Sequence, residues 1–453
     1  MRQGEIINVT VTGINNEGEG VVRCGEEHFV LFIPNALPGE EISCRITRVK
    51  KNYGTAKVLK RYNDSPDRIT PRCSHFGKCG GCQLQHLKYT AQLKLKQQTV
   101  LDALQRIAGI DAPNVAQCVP SPQEWGYRNK ASLPVECGNT LQAGFYKPRS
   151  HDIVPFEKCP VLIPELETAA TEVIHLLSEH NLSKTIDKNN FIKFIRHVVI
   201  RKAAYSREML CAIIGSKNLG ERDTEKLKSL VQKTNLKING LIYNKNNSEG
   251  NFIWGDDFKT VCGTHIIKEC LHDYKFEFEI SSFFQINSAQ AIKIYDYAAK
   301  LALMDNPENL LELYSGVGSL TAFLASGAKK VVAVESWLPA AKYAKTNAAL
   351  NEHNNITAFT GRAEDIITTF TNEKFDVIVL DPPRTGCDTQ VIESIIKINP
   401  AKIVYVSCNP ATMARDIKNL RAGGYSLADT VPFDMFPQTG HVECVCLLTR
   451  TER

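Results

Sequence analysis

With 453 residues, 43% hydrophobic and 23% charged, the chain has the composition of a folded protein and the length for two to four domains, at roughly 100–200 residues each. Disordered, collagen-like and single-module readings are excluded, and no run approaches the ~18 apolar residues of a membrane helix. The net charge of +5 is concentrated, because residues 45–72 hold nine Lys or Arg against Asp64 and Asp67; such a stripe suggests a polyanionic partner, most often nucleic acid, with a merely solvated basic edge as the alternative.

Glu5 stands where a secretory signal needs an apolar core, so a cytoplasmic location without a membrane partner is expected. Residues 4–62 read as about five short β-runs broken by turn signals, which suggests a small OB-like barrel over residues 1–62. Tyr53 and Tyr62 interleave its Lys and Arg residues, as in barrels that track nucleic-acid backbones with charge and aromatic platforms. Asn63 to Pro71 reads as a linker. Residues 88–107 place Leu93, Val100, Leu101, Leu104 and Ile107 on one helical stripe, expected to pack on another domain.

Fifteen cysteines in a chain without a secretory signal point to metal ligation or thiol chemistry before a disulfide framework. Cys73, Cys79 and Cys82 are clustered, with Cys159 far downstream before a proline. Four thiolates suit an iron-sulfur cluster or zinc, and spacing does not separate the two. From about 119 to 280 strand-like segments such as FIKFIRHVVIRKA, MLCAIIG and INGLIYN alternate with polar stretches, forming a mixed α+β central domain over residues 63–280.

From about 309 the segments LLELY, KVVAVE, ITAFT, FDVIVLD, KIVYVSC, YSLADTVPF and VECVCLLTR alternate with helical stretches. This predicts a Rossmann-like doubly wound α/β domain over residues 281–453, with its last two strands joined as a hairpin. Ligands of such sheets bind beyond the carboxyl ends of the strands, where Glu335, Asp381 and Cys408 fall. The loop from Glu312 to Ser319 holds Gly316 and Gly318, which let a ligand approach the backbone, and Glu335 can accept both hydroxyls of a ribose. A dinucleotide fingerprint wants a third glycine at Thr321, so S-adenosylmethionine is favoured over NAD; the plain alternative is a tight turn. Asp381-Pro-Pro-Arg384 forms a rigid turn beside that site. Cys408 and, across the cleft, Glu443 with His441 nearby provide a nucleophile and a base.

The segments FFQIN, ELYSGVGSL, DPPRTG, YVSCNPATMARD and FDMFPQTGHVE together resemble the RNA uracil-C5 methyltransferase family, and the whole chain resembles its larger bacterial members, which carry an N-terminal TRAM domain and a cysteine cluster. The resemblance implies S-adenosylmethionine-dependent formation of 5-methyluridine in RNA, with 23S rRNA the expected target and tRNA the alternative. It implies that Cys408 adds to uracil C6 and that Glu443 removes the C5 proton, with base flipping to bring the uracil to the thiol. The family's cofactor shell maps onto Gln285, Tyr314, Ser319, Glu335 and Asp381, and its [4Fe-4S] ligands onto Cys73, Cys79, Cys82 and Cys159, with zinc the second choice. The familiar tail reads Thr-His-His-Val-Glu, whereas Gly440 replaces the first histidine here.

Three rivals remain. A cytosine-C5 methyltransferase carries a cysteine immediately after the acidic-x-Pro turn, where this chain has Arg384 and reaches Cys387 only three residues later. Radical S-adenosylmethionine enzymes need C-x3-C-x2-C rather than the C-x5-C-x2-C found here. A non-catalytic RNA-binding or ribosome-assembly factor would have no need of both Cys408 and Glu443. A monomer is the default oligomeric state.

Overall fold

The structure, a computed structural model, describes residues 1–25, 29–137, 141–179, 195–234, 236–250 and 252–451. The N-terminal strands are β1 (Ile6–Thr10), β2 (Gly13–Ile14), β3 (Glu19–Cys24), β4 (Phe29–Pro34), β5 (Glu41–Val49) and β6 (Tyr53–Arg61). They form one sheet in the order β1-β5-β6-β4-β3-β2, six strands rather than the five expected, with a parallel β4–β6 pair. Alternation along β5 turns Ile42, Cys44 and Ile46 into the core and Arg45 and Arg48 outward. The sequence pattern that builds the core therefore also presents the charge.

Two of the nine cations are spent internally. Arg68 and Arg61 converge on the fully buried Glu40, at 2.9 Å from the Arg68 terminal nitrogen and 3.2 Å from the Arg61 Nε. The remaining seven are exposed, alongside the exposed Tyr53 and Tyr62, with the Lys60 ammonium 5.1 Å from the Tyr62 ring centre.

The long helix α1 (Tyr89–Arg106) follows. Its buried stripe is Gln92, Lys96, Val100, Ala103 and Leu104, while Ile107 is 38% exposed. The expected stripe is thus displaced at both ends, because Gln92 and Lys96 find polar partners on the C-terminal tail. Periodicity of apolar residues cannot register that.

The central sheet contains β7 (Lys130–Cys137), β8 (Leu141–Tyr146), β9 (Ile153–Pro155), β10 (Ile195–Lys202), β11 (Met209–Gly215), β12 (Gly240–Lys245) and β13 (Asp257–Gly263), with α2 (Pro164–Glu179) and α3 (Glu221–Lys233) on one face. The part of the FIKFIRHVVIRKA run before Ile195 lies outside the described residues. The order is β13-β12-β11-β10-β7-β8-β9. β11 is buried along its whole length, since Cys211 and Ile213 face α2 while Leu210, Ala212 and Ile214 face the next unit; two-sided burial explains its unbroken apolar sequence. That second face meets the hairpin β14 (Ile266–Leu271) and β15 (Tyr274–Glu279), whose Ile267, Leu271, Phe276 and Phe278 join the C-terminal core.

The C-terminal unit runs α4 (Ser288–Leu303), β16 (Asn309–Leu313), α5 (Ser319–Ala325), β17 (Lys330–Glu335), α6 (Leu338–Leu350), β18 (Ile356–Thr360), α7 (Ala363–Thr369), β19 (Val377–Leu380), α8 (Thr389–Ile398), β20 (Lys402–Ser407), α9 (Pro410–Ala422), β21 (Tyr425–Phe433) and β22 (Glu443–Arg450). The sheet order is β18-β17-β16-β19-β20-β22-β21, parallel through β20, with β22 antiparallel to both its neighbours. Alternate strand residues feed two cores, one shared with α4 and α5 and the other with α1, α8 and α9. Strand order reverses between β16 and β19, with β17 and β18 added on one side and β19 and β20 on the other, the switch point at whose strand ends ligands of such sheets bind. No helix among the described residues is long and apolar enough to cross a membrane.

Candidate active site

At the end of β16 the backbone turns sharply: Tyr314, Gly316 and Gly318 all have positive φ, at 67°, 58° and 81°. A side chain on Gly316 would point into open space within 4 Å, so the loop leaves an uncovered cradle. The Gly316 N–H donates to the Glu335 carboxylate at 2.9 Å, and the Trp337 N–H donates to its other oxygen at 2.6 Å. This fixes Glu335 at the end of β17 beside the loop.

Beneath the cradle Glu312 is 1% exposed, and its Oε2 has no hydrogen-bond partner. Burial, with repulsion from Asp381 and Glu335, pushes its pKa up to about 8 despite the Thr321 hydroxyl beside it. Tyr295 of α4 ties the cluster together, its hydroxyl 3.2 Å from Ser319 Oγ and facing the Gln285 side chain and Asp381. The structure thus gathers Gln285, Ser319, Glu335 and Asp381. Tyr314 instead lines a pocket of about 370 Å³ with Glu364, Pro383 and Thr385.

The chemistry-bearing turn lies across β20 and β22. Ser407 pairs with Cys444 in the antiparallel register, so the next residues, Cys408 and Glu443, stand opposite each other. The turn after Cys408 is held by Asn409, which caps α9 by accepting from the Ala411 N–H at 3.1 Å and donates to the Arg384 carbonyl at 2.9 Å. Thr412 donates to that carbonyl at 3.2 Å. The Pro-Pro-Arg turn and the Ser-Cys-Asn-Pro turn are therefore one rigid unit.

Electrostatics follow from this crowding. Burial pushes Glu443 up to about 8, helped by Asp381 and opposed by Arg384, and burial alone pushes Asp381 up to about 7. Cys408 is half-buried; desolvation, then Glu443 and Asp381, push its thiol up to about 11, and the Arg384 guanidinium pulls it back. Arg384 also contacts His441 Nδ1 at 3.1 Å. Although His441 is exposed, desolvation from the surrounding loop and the cations Arg384, Lys96 and Arg128 push it down to about 4, so it is neutral near pH 7.

Sequence reasoning missed Arg384, Tyr295 and Glu312 as members of this site. Position after the Pro-Pro turn signalled the first, and position one residue before the end of β16 signalled the third. Tyr295 reads as a core aromatic of an amphipathic helix, and no sequence signal marks it.

Gly440 has a steric explanation. A Cβ there would lie 1.5 Å from the carbonyl oxygen of Asn16, in the turn between β2 and β3. The N-terminal β-rich unit is thus wedged against the segment leading into Glu443, and no side chain fits between them.

Cys73, Cys79, Cys82 and Cys159 line one cavity of about 110 Å³, walled by Phe76, Phe145 and Phe156. All four are free thiols. Burial pushes Cys82 up to about 12 and Cys159 up to about 11, and Cys82 feels the other three thiols electrostatically. Among the described residues, no group of three or more His, Cys, Asp or Glu is arranged to hold a metal ion. The described geometry thus marks out neither the expected iron-sulfur site nor its zinc alternative.

A mostly parallel sheet with a glycine turn, an acidic second strand end and a cleft at the strand termini defines a methyltransferase fold, here preceded by a β-rich unit. Residues 88–451 match the family described as tRNA (Uracil-5-)-methyltransferase, residues 2–59 match the TRAM domain, and the chain belongs to this RNA uracil-5 methyltransferase family. An uncharacterised RNA methyltransferase of Halalkalibacterium halodurans is 37% identical, over 99% of this chain and 98% of its own. One from Listeria innocua is 36% identical with the same coverages. Among solved structures, the tRNA (uracil-54, C5)-methyltransferase of Pyrococcus abyssi in complex with S-adenosyl-L-homocysteine superposes with a TM-score of 0.75 at 27% identity, over 98% of this chain and 100% of that one.

Proposed function

We propose that this protein methylates C5 of a uridine in 23S rRNA, with S-adenosylmethionine as methyl donor, Cys408 as nucleophile and Glu443 as base. The observation that carries the reading is the cross-strand placement of Cys408 opposite Glu443, with Asp381 and Arg384 in the same cleft. The donor supplies a methyl group on a cationic sulfur. The cradle at Gly316 and the fixed Glu335 suit such a ligand: close backbone approach and a diol acceptor.

Uracil C5 is a poor nucleophile until C6 carries an added sulfur. The Cys408 thiolate, favoured by Arg384 and the N-terminus of α9, forms the S–C6 bond and pushes electron density to C5. C5 then takes the methyl group, Glu443 accepts the C5 proton, and the S–C6 bond breaks to release 5-methyluridine and free Cys408. A carboxyl with a pKa of about 8 is suited to take up a proton near neutrality.

The division of labour we infer is a TRAM barrel over residues 1–62, a central domain over 63–280 and a Rossmann-like catalytic domain over 281–453. The exposed cations and tyrosines of the barrel anchor RNA phosphates and bases. The four thiols suit a [4Fe-4S] group as four soft donors around one apolar-walled cavity. Its part is structural, since four protein thiolates leave no iron open.

A tRNA target is the second reading, favoured by the full-length superposition on the Pyrococcus abyssi tRNA enzyme. The test is labelled methyl transfer to unmodified 23S rRNA, tRNA and uridine-free transcripts, followed by nucleoside digestion, with Cys408→Ala in parallel. Labelled 5-methyluridine in rRNA, lost in the variant, is expected. Label confined to tRNA moves the target and keeps the chemistry; 5-methylcytidine or no label refutes the reaction.

A further inference from the structure

Residues 434–442 lead from β21 into Glu443, and their placement is set from outside their own sheet. Four polar side chains in and around this segment are almost completely buried: Asp434 and Gln92 at 0%, Lys96 and Gln438 at 1%. None touches Cys408. The Lys96 ammonium pairs with Asp434 and donates to the Phe436 carbonyl at 3.0 Å. Gln92 grips Gln438 twice: its Nε2 donates to Gln438 Oε1 and its Oε1 accepts from the Gln438 N–H, both at 3.0 Å. The Gln92 Nε2 also donates to the carbonyls of Leu84 and Leu87, at 3.1 and 2.8 Å.

A second jaw closes from the segment just after Cys82. The N–H groups of Gln83 and Leu84 donate to the Gln438 carbonyl at 3.1 and 2.9 Å. Gln438 itself has φ of +71°, a left-handed conformation that side-chain-bearing residues avoid unless their surroundings impose it. A helix used only for packing would bury leucines at positions 92 and 96. Directional hydrogen bonds fix a segment's position and orientation, which apolar contact does not.

We propose that Gln92 is a positioning residue for the catalytic base: with the Gln83–Leu84 segment it clamps Gln438 in its left-handed turn and thereby aims Glu443 at the uracil C5 proton. This rests on the reading of Glu443 as base and adds the device that places it. The clamp also joins the thiol-lined cavity to the catalytic tail by a continuous run of chain.

The reaction order supplies a readout that a folding defect does not reproduce. Bond formation from Cys408 and methyl transfer precede proton removal, so a mis-aimed base leaves methylated RNA covalently attached to Cys408. The experiment uses full-length protein, S-adenosylmethionine and whichever RNA is methylated, and measures both released 5-methyluridine and adduct surviving on a denaturing gel. Wild type, Gln92→Ala, Gln92→Glu, Gln438→Ala and Glu443→Gln are compared. Gln438→Ala leaves α1 intact and loses the side-chain half of the grip, so it serves should Gln92→Ala fail to fold.

Gln92→Ala and Gln438→Ala are expected to lower product release by ~10-fold or more while the adduct fraction rises several-fold toward that of Glu443→Gln. Gln92→Glu keeps the acceptor for the Gln438 N–H and is expected to fall between Gln92→Ala and wild type. Adduct in Glu443→Gln but not in folded Gln92→Ala or Gln438→Ala overturns the clamp alone. Absence of adduct in Glu443→Gln as well overturns the base reading, and the clamp with it.

Discussion

Replacing Gly440 with alanine tests whether the N-terminal β-rich unit and the segment leading into Glu443 are locked together. The added methyl would lie 1.5 Å from the Asn16 carbonyl oxygen and 2.6 Å from its carbon. Carbon and oxygen rest near ~3.4 Å, so the turn at residues 15–18 and the tail must part by about 2 Å. The turn cannot retreat freely, because Gly18 is packed on the backbone of Gln83, where a Cβ would stand 2.2 Å from the carbonyl oxygen. The tail cannot retreat freely either, being held at Gln438 by Gln92, Gln83 and Leu84. Overpacking of this kind costs about 1–3 kcal/mol. The φ of Gly440 is not positive, so backbone strain adds nothing. We expect Gly440→Ala to lower the denaturation midpoint in urea accordingly and to reduce kcat more than it weakens cofactor binding, since Glu443 lies three residues on. Gly440→His, the residue of the familiar tail, is expected to be worse. A Gly440→Ala protein with unchanged midpoint and kcat would refute the steric reasoning.

Glu443, with a pKa pushed up to about 8, holds its proton in the folded state where an unfolded glutamate, near ~4.3, has released it. Its stabilising contribution is therefore complete below pH ~4.3 and lost as pH rises through 8; Glu443→Gln should flatten the fall in stability by up to ~1.4 kcal/mol per pH unit in that window. Denaturant titrations at several pH values check this, and an unchanged slope contradicts it. Arg384→Ala removes the cation that lowers the Cys408 thiol, so kcat/KM should fall ~10-fold or more with its thiol limb displaced to higher pH, and Arg384→Lys should recover part of it. Lys96→Met leaves the carboxylate of Asp434 buried without its cation and should cost about 3–5 kcal/mol, most of it recovered in Lys96→Met/Asp434→Leu. Protein purified without oxygen should carry about four iron and four sulfide per chain, lost on Cys82→Ser; one zinc per chain refutes the cluster.

Much of the catalytic domain was legible because each strand writes its own period and its own ending. The runs that became β16, β17, β19 and β20 are apolar because they are buried on both faces, and the residues after them, from the glycine turn to Cys408, must change character where the chain meets the crevice. The barrel's alternation was equally local. Three things were not local. Gln92 and Lys96 look like exposed helix positions until the tail, more than 330 residues on, supplies their partners. Arg61 and Arg68 look like RNA-facing cations until Glu40 turns them inward. Gly440 looks like a loosened loop until Asn16 of another unit occupies the space a side chain would take. The sequence by itself determined the element order and the reactive residue types, since both depend on neighbours within a few positions. Only the tertiary structure decided which buried polar groups are paired and how the segment leading into Glu443 is held, because hydrogen bonding and steric fit depend on atoms that folding brings together from distant parts of the chain.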